Sequence, residues 1–245
     1  MSPRFEPDPS LEVLPDIVRQ ALVAHWLRRC QSERRVGLAF TALAERGRDH
    51  AAPVVLQMLA QSAQQEQRHA QLCLSLAERY AGHALPEPVP PLAPLPDFRL
   101  ASARLDFTFQ TAGLCCINET LATAWLRHCS SIARVPFAIE ANRQHLREEI
   151  DHARLGWAHL ASEHVTVDDK AELAASLPEM LRVNVAAWEQ PENYLPGTAL
   201  ADHGQPTAAA SQRVLREAVT ELLLPGFAHV GITLPPNAPA RPLNG

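Results

Sequence analysis

The sequence predicts an all-α protein, and three observations carry the prediction. Gly is scarce, at 10 of 245 residues, while Leu, Ala, Arg, Gln and Glu are abundant. No long run alternates polar with β-branched residues, and apolar residues recur instead at three- and four-residue spacing. The stretch "HALPEPVPPLAPLP" (83–96) holds six of the 21 prolines and separates long helical patterns on either side of it. Each proline ring fixes φ and removes an N–H, so this stretch is not helix.

The helical patterns are read at 14–47 and 52–80 before the proline stretch, and at 101–130 and 136–162 after it. Pro53 and Pro136 fall where a first-turn proline is tolerated. Two further helices are expected near 167–187 and 207–224. Residues 1–13 read as a loose N-terminal segment, 14–228 as a single helical domain, and 229–245 as a loose Pro-rich tail.

The order is helix–turn–helix, long crossover, helix–turn–helix. In polyproline II form the crossover spans roughly 43 Å at about 3.1 Å per residue. A 28-residue helix is roughly 42 Å long at 1.5 Å per residue. The crossover can therefore run the length of a four-helix bundle and leave the second and third helices parallel. That is the ferritin-like connection, with extra C-terminal helices added.

Charge and composition exclude several function classes. The net charge of −5 without a polybasic tract gives no support to nucleic-acid binding. No apolar run approaches the roughly 20 residues of a membrane span. The start, MSPRFEPDPS, lacks an apolar signal segment. Five cysteines without CxxC spacing read as reduced packing residues, neither a disulfide frame nor a zinc knuckle. The expectation is a cytoplasmic protein.

The chemistry-bearing residues interrupt the apolar stripes. Stepping alternately by three and four along the first helix gives Leu22, Trp26, Cys30, Glu33, Val36, Phe40 and Leu43, with one carboxylate. The second gives Leu59, Ala63, Glu66, Ala70, Cys73 and Ala77, and His69 follows Glu66 on the same face. The third gives Leu105, Thr108, Ala112, Cys115, Glu119, Ala122 and Leu126. The fourth gives Ala138, Asn142, His145, Glu149, His152 and Gly156. With 18 Glu and 11 His, about one Glu-x-x-His arises by chance, so the two motifs alone prove little. Depth supplies the independent check. The midpoint of Glu33 and Glu66 falls inside "RGRDHAAP", and that of Glu119 and Glu149 inside "SSIARVP", both expected turns. Antiparallel helices then bring four glutamates and two histidines to one level of the core.

Burying four carboxylates together without compensation is expensive. A pair of divalent metals with oxygen ligands and one imidazole each supplies the compensation. One Glu on each of two helices with Glu-x-x-His on the other two is a dinuclear carboxylate arrangement. Mixed oxygen and nitrogen ligation suits iron or manganese better than thiolate-bound zinc.

On these residues the chain resembles the ferritin-like dinuclear-iron superfamily, in the order Glu33, Glu66-x-x-His69, Glu119, Glu149-x-x-His152. The stretches "EQRHAQLCLSLAERYAG", "NETLATAWL" and "EEIDHARLGWAHLA" resemble bacterial ferritin-like domain proteins, and the likeness covers roughly residues 18 to 162. The resemblance implies two Fe ions, or an Fe/Mn pair, with O2 as co-substrate, an electron donor and a small-molecule substrate. Many diiron oxygenases carry Asp just before each Glu-x-x-His. This chain has Gln65 and Glu148 there, which leaves the outer partners of the imidazoles open.

His145 extends the last motif to His-x-x-x-Glu-x-x-His, which resembles the diiron arylamine N-oxygenases. That resemblance implies a third imidazole on the metal of Glu119, Glu149 and His152, and an amine as substrate. The competing reading is a histidine one turn above the site, hydrogen-bonded to a carboxylate or exposed at the bundle edge; both stand at this point.

An O2-activating oxidoreductase is the leading expectation. The small residues Gly37, Ala63, Ala112, Gly113, Ala122 and Gly156 would leave room for a substrate. A ferritin-like metal-binding or peroxide-reducing protein without organic substrate is the alternative. A rubrerythrin-like peroxidase usually brings CxxC pairs, and a tRNA hydroxylase needs a basic face. The C-terminal helices cover a bundle face, form a lid over a channel or make a homodimer contact.

Overall fold

The computed structural model describes residues 11, 13–90, 95, 96, 98, 100–188 and 199–234, and among these every regular element is helical. The N-terminal segment read as loose lies outside the described residues except for 11 and 13. The Pro-rich tail lies outside them from 235 onward, as do residues 91–94 of the crossover.

Helix α1 spans Asp16–Arg46, and a short 3-10 turn at Gly47–Asp49 leads to α2, Pro53–Ala81. Pro53 opens α2, where its missing N–H costs no helical bond. Gly82 closes it at φ 74°, a left-handed conformation glycine adopts without a Cβ clash, and its N–H caps the Glu78 carbonyl. The third helix, α3, comprises Ala103–Thr111, a π-helical stretch Ala112–Asn118, and Glu119–Ile132. Ser102 caps its start by accepting the Leu105 N–H. Helix α4 is Pro136–Leu160, again opened by its proline.

Helix α5, Val167–Ala187, begins with a reciprocal capping box between Thr166 and Asp169. After the short α6, Ala199–Asp202, the last helix α7 runs through Ala208–Ala218, a π turn Val219–Leu223, and Leu224–His229. Val230 and Ile232 beyond it are buried.

Helix α1 packs on α2 and α3, and α4 packs on α2 and α3. The meeting residues give directions. Arg29 lies over Trp125, while a Cβ on Gly47 would strike Phe107, so α1 and α3 are antiparallel. Gln65 meets His152 and His69 meets Glu148, so α2 and α4 are antiparallel. Gly156 abuts Cys115 and Cys116 while His152 approaches Glu119, so α3 and α4 are antiparallel as well.

Two apolar layers fill the interior between α1, α2 and α4. One holds Leu22, Trp26, Cys30, Ala70, Cys73 and Ala141, and the other Val36, Phe40, Leu59, Ala63, Cys115 and Leu155. Glu33 falls between Cys30 and Val36, and Glu66 and His69 between Ala63 and Ala70. Glu149 and His152 fall between Ala141 and Leu155. The polar residues therefore form a seam between layers. A third apolar cluster joins α3 to α5 and α7, so the C-terminal helices cover the outer face of α3. All five cysteines are free and buried, and burial pushes the Cys73, Cys115 and Cys116 thiols well above their ordinary pKa, as packing residues require.

Candidate metal centre

The structure gathers the predicted ligands into two overlapping groups. Glu33, Glu66, His69 and Glu149 place ligand atoms within 4.8 Å of one another, and so do Glu66, Glu119, Glu149 and His152. Glu66 and Glu149 belong to both. Their oxygens divide accordingly: Glu66 turns Oε1 to His152 Nδ1 at 3.0 Å and Oε2 to His69 Nδ1 at 3.5 Å. Glu149 turns Oε1 to His69 Nδ1 at 3.5 Å and Oε2 to His152 Nδ1 at 3.0 Å. The centre is thus nearly symmetric, with two shared carboxylates between two terminal Glu–His pairs.

Each imidazole directs Nδ1 inward and Nε2 outward, and the outward partners are reciprocal. His152 Nε2 meets Gln65 Oε1 at 3.0 Å, and His69 Nε2 lies 3.0 Å from Glu148 Oε2. Gln65, which precedes the first Glu-x-x-His, thus hydrogen-bonds the histidine of the second, while Glu148 faces His69 Nε2 at ion-pair distance without a hydrogen bond. An oxygen acceptor on the outer nitrogen orients the ring and leaves the inner nitrogen free to ligate. Arg68 joins Glu148 at 3.3 Å from the rim.

Glu119 is positioned through α5. Trp188 Nε1 donates to Asn118 Oδ1 at 3.0 Å, and Asn118 Nδ2 donates to Glu119 Oε1 at 3.1 Å. Asn118 is the last residue of the π-helical stretch, a feature common beside functional sites. Two of the small residues serve close approach: a Cβ on Gly37 would come within 3.1 Å of Glu66 Cβ, and one on Gly156 within 2.7 Å of Cys115 Cβ.

Burial and the crowding of carboxylates with two imidazoles set the electrostatics of the cluster. Burial, with Glu66 and Glu149 nearby, holds the Glu33 carboxyl well above the usual range. Burial and Glu149 do the same to Glu119. Burial opposes charge on the two imidazoles, but Glu149 and Glu66 outweigh it and push His69 up to about 11 and His152 up to about 10. Burial likewise works to raise Glu149, and the hydrogen bonds from His152 and His69 outweigh it, so Glu149 is held low.

His145 belongs to neither four-residue group. A ring nitrogen lies within 4.8 Å of a Glu33 oxygen and the Cys73 sulfur, and the ring sits 4.3 Å from that of His69. The resemblance places this histidine with Glu119, Glu149 and His152; the fold places it one turn nearer the N-terminus of α4, at the level of Arg29. Arg29 Nη1 donates to Asn142 Oδ1 at 2.8 Å and Nη2 to His145 Nδ1 at 2.6 Å. Arginine only donates, so Nδ1 accepts and the proton of the neutral ring sits on Nε2. Burial and Arg29 keep this ring neutral, well below its ordinary pKa. Nε2 is buried with no hydrogen-bond partner among the described residues, and in this tautomer it offers an N–H, not a lone pair.

Sequence reasoning passed over Arg29, Asn118 and Trp188. Arg29 stands one turn before Glu33, a spacing visible in the sequence. Asn118 and Trp188 act together through a contact between distant segments.

A cavity of about 230 Å³ opens on the cluster from the α1–α3 side. Glu33, Glu119 and Glu149 form its floor, and Ala122, Trp125 and Trp188 its walls. Glu33 is the one ligand of the six that is not fully buried.

The donor set fits a pair of divalent metals. Both oxygens of Glu66 are buried without a hydrogen-bond partner, because the Nδ1 hydrogen of His152 is directed at Glu149. Glu33 and Glu119 would each hold one metal with its histidine, and Glu66 and Glu149 would be shared. No helix among the described residues is long and apolar enough to cross a membrane. No protein-family model, curated protein or solved structure matches the chain.

Proposed function

We propose that the protein is a ferritin-like oxygenase or oxidase that holds two iron ions, or an iron–manganese pair, and uses O2 to oxidise a small organic substrate. The fold reading is supported by the antiparallel packing of α1 on α3 and of α4 on α2 and α3. The short connection between α1 and α2 and the Pro-rich one between α2 and α3 complete the ferritin-like pattern. The metal pair, when bound, supplies redox equivalents and Lewis acidity for O2 activation. Insertion of one oxygen atom into a substrate X–H bond gives X–OH and water, and it consumes two electrons and two protons. The reading therefore requires an external electron donor.

The observation that carries the proposal is the cavity floored by Glu33, Glu119 and Glu149. A purely storage or structural site has no need of a walled space for an organic molecule against its ligands. Trp125 and Trp188 exclude water from that space, and the Trp188–Asn118 relay fixes Glu119. His145 presents its Nε2–H beside Glu33, where it is a donor held in one tautomer by Arg29. The amine reading, carried by the resemblance at His145, stays within the proposal beside other small organic substrates. Substrate class is better argued from the cavities.

The test is anaerobic loading with Fe(II), elemental analysis, and then O2 uptake in the presence of a chemical reductant and candidate acids, aldehydes and amines. Two metals per chain with O2 uptake stimulated by an organic compound supports the oxygenase. Metal binding with peroxide consumption and no organic product supports the peroxide-reducing alternative.

A further inference from the structure

A second cavity of about 340 Å³ adjoins the first and shares Arg35, Val36, Asn118 and Ala187 with it. Its lining is mainly apolar, with Phe98, Phe109, Leu114, Met180 and Val183, and Ser176, Glu179 and Asn184 stand among them; Gly113 lies beneath Met180. Arg35 stands at the junction, two residues from Glu33, and has no hydrogen bond or ion pair among the described residues. The Gln110 side chain lines the apolar cavity and is 1% exposed, with its Oε1 unpartnered.

We infer that the substrate is an amphipathic organic acid. Its acid group pairs with Arg35 at the junction, and its apolar tail occupies the outer cavity. The acid group then stands at the mouth of the inner cavity floored by Glu33, Glu119 and Glu149, with the tail leading away from it. The inference rests on the metal reading, because bound divalent metals add the positive charge that draws an anion toward the glutamates. An unpaired arginine facing a confined space recognises carboxylate by charge-assisted hydrogen bonds. The outer cavity, at about 340 Å³, has room for an apolar tail.

The experiment is calorimetric titration of the anaerobic Fe(II)-loaded chain with decanoate, decan-1-ol and acetate, all below micellar concentrations. Metal content is measured on the same samples. Decanoate should bind about tenfold tighter than decanol, the effect of one charge-assisted hydrogen bond. Acetate should bind far more weakly than either. Arg35→Gln should bring decanoate down to the level of decanol with metal content intact. Gly113→Leu, which fills the space under Met180, should weaken decanoate and decanol alike; Met180→Trp serves if that variant fails to fold. Decanol or acetate matching decanoate, or Arg35→Gln binding decanoate as before, overturns the substrate class while two bound metals leave the metal reading standing. A folded chain that takes up no metal overturns both.

Discussion

Arg29 and His145 lie 116 positions apart in the chain, and Arg29 Nη2 meets His145 Nδ1 at 2.6 Å. The pair turns a histidine at ligand spacing into a hydrogen-bond donor. The His145→Ala variant should keep both metals. In the metal-free chain, long-range nitrogen–proton NMR should show the His145 proton on Nε2. Arg29→Gln should weaken that tautomer preference. A proton on Nδ1, or loss of one metal in His145→Ala, would falsify this assignment.

Shared oxygens make the four glutamates unequal. Glu66→Ala or Glu149→Ala removes a carboxylate from both four-residue groups, so each should lose both metals. Glu33→Ala or Glu119→Ala removes a terminal ligand, and each should retain more metal than the Glu66 and Glu149 variants. Elemental analysis of the four proteins after identical loading distinguishes these outcomes.

The reciprocal support of the histidines should appear in affinity. Gln65→Ala frees His152 Nε2, and Glu148→Ala frees His69 Nε2. Loss of such an outer partner costs about 10- to 100-fold in metal affinity. Competition with a chelator measures it, and an unchanged affinity in both variants would count against the arrangement.

Metal and protons compete for the same atoms. His69 and His152 hold protons up to about 11 and about 10 in the metal-free chain, and Glu33 and Glu119 hold theirs well above the usual range. Metal uptake at pH 7 should therefore release about two to four protons per chain, with affinity falling as pH falls. Titrations in buffers of different ionisation enthalpy read the release directly. Stability follows the same signs. A folded pKa raised above its unfolded value stabilises below the unfolded value, and that contribution is lost as pH rises through the folded one. For the two histidines the window opens at about 6.5 and closes at their raised values. Glu33 and Glu119 act in the same direction, while Glu149, held low, loses its contribution as pH falls through its folded value. The metal-free chain should melt lower at pH 9 than at pH 6.5, and bound metal should remove that difference.

Close approach of α4 to α3 depends on Gly156. A Cβ there would fall 2.7 Å from Cys115 Cβ and 2.8 Å from the Cys116 backbone nitrogen, neither the end of a flexible side chain. Gly156→Ala should destabilise by about 1–3 kcal/mol, the usual cost of overpacking. Thermal or denaturant unfolding checks it, and an unchanged midpoint would contradict the tight contact.

The helices were legible because their signals are local. Apolar recurrence gave α1 to α4 within a few residues of their observed bounds, and Pro53 and Pro136 marked two starts. The clustering of the six candidate ligands was legible because antiparallel helices joined by short turns convert sequence distance from the turn into height. Spacing along α4, however, fixes only which side of that helix a residue occupies. It does not say which neighbour stands at that height. His145 is on the correct face for a ligand, yet its ring protonation is set by Arg29, which only the packing of α1 against α4 brings near. Gln65 and Glu148 read as departures from a pattern until α2 and α4 were juxtaposed, when each became the partner of the other helix's histidine. The cavities depend on α5 closing over α1 and α3, and no periodicity within one helix encodes where another helix leaves space. Local backbone preference and apolar pattern determined the elements and the level of the site. Contacts between segments far apart in sequence decided the tautomer, the sharing of carboxylates and the room beside them.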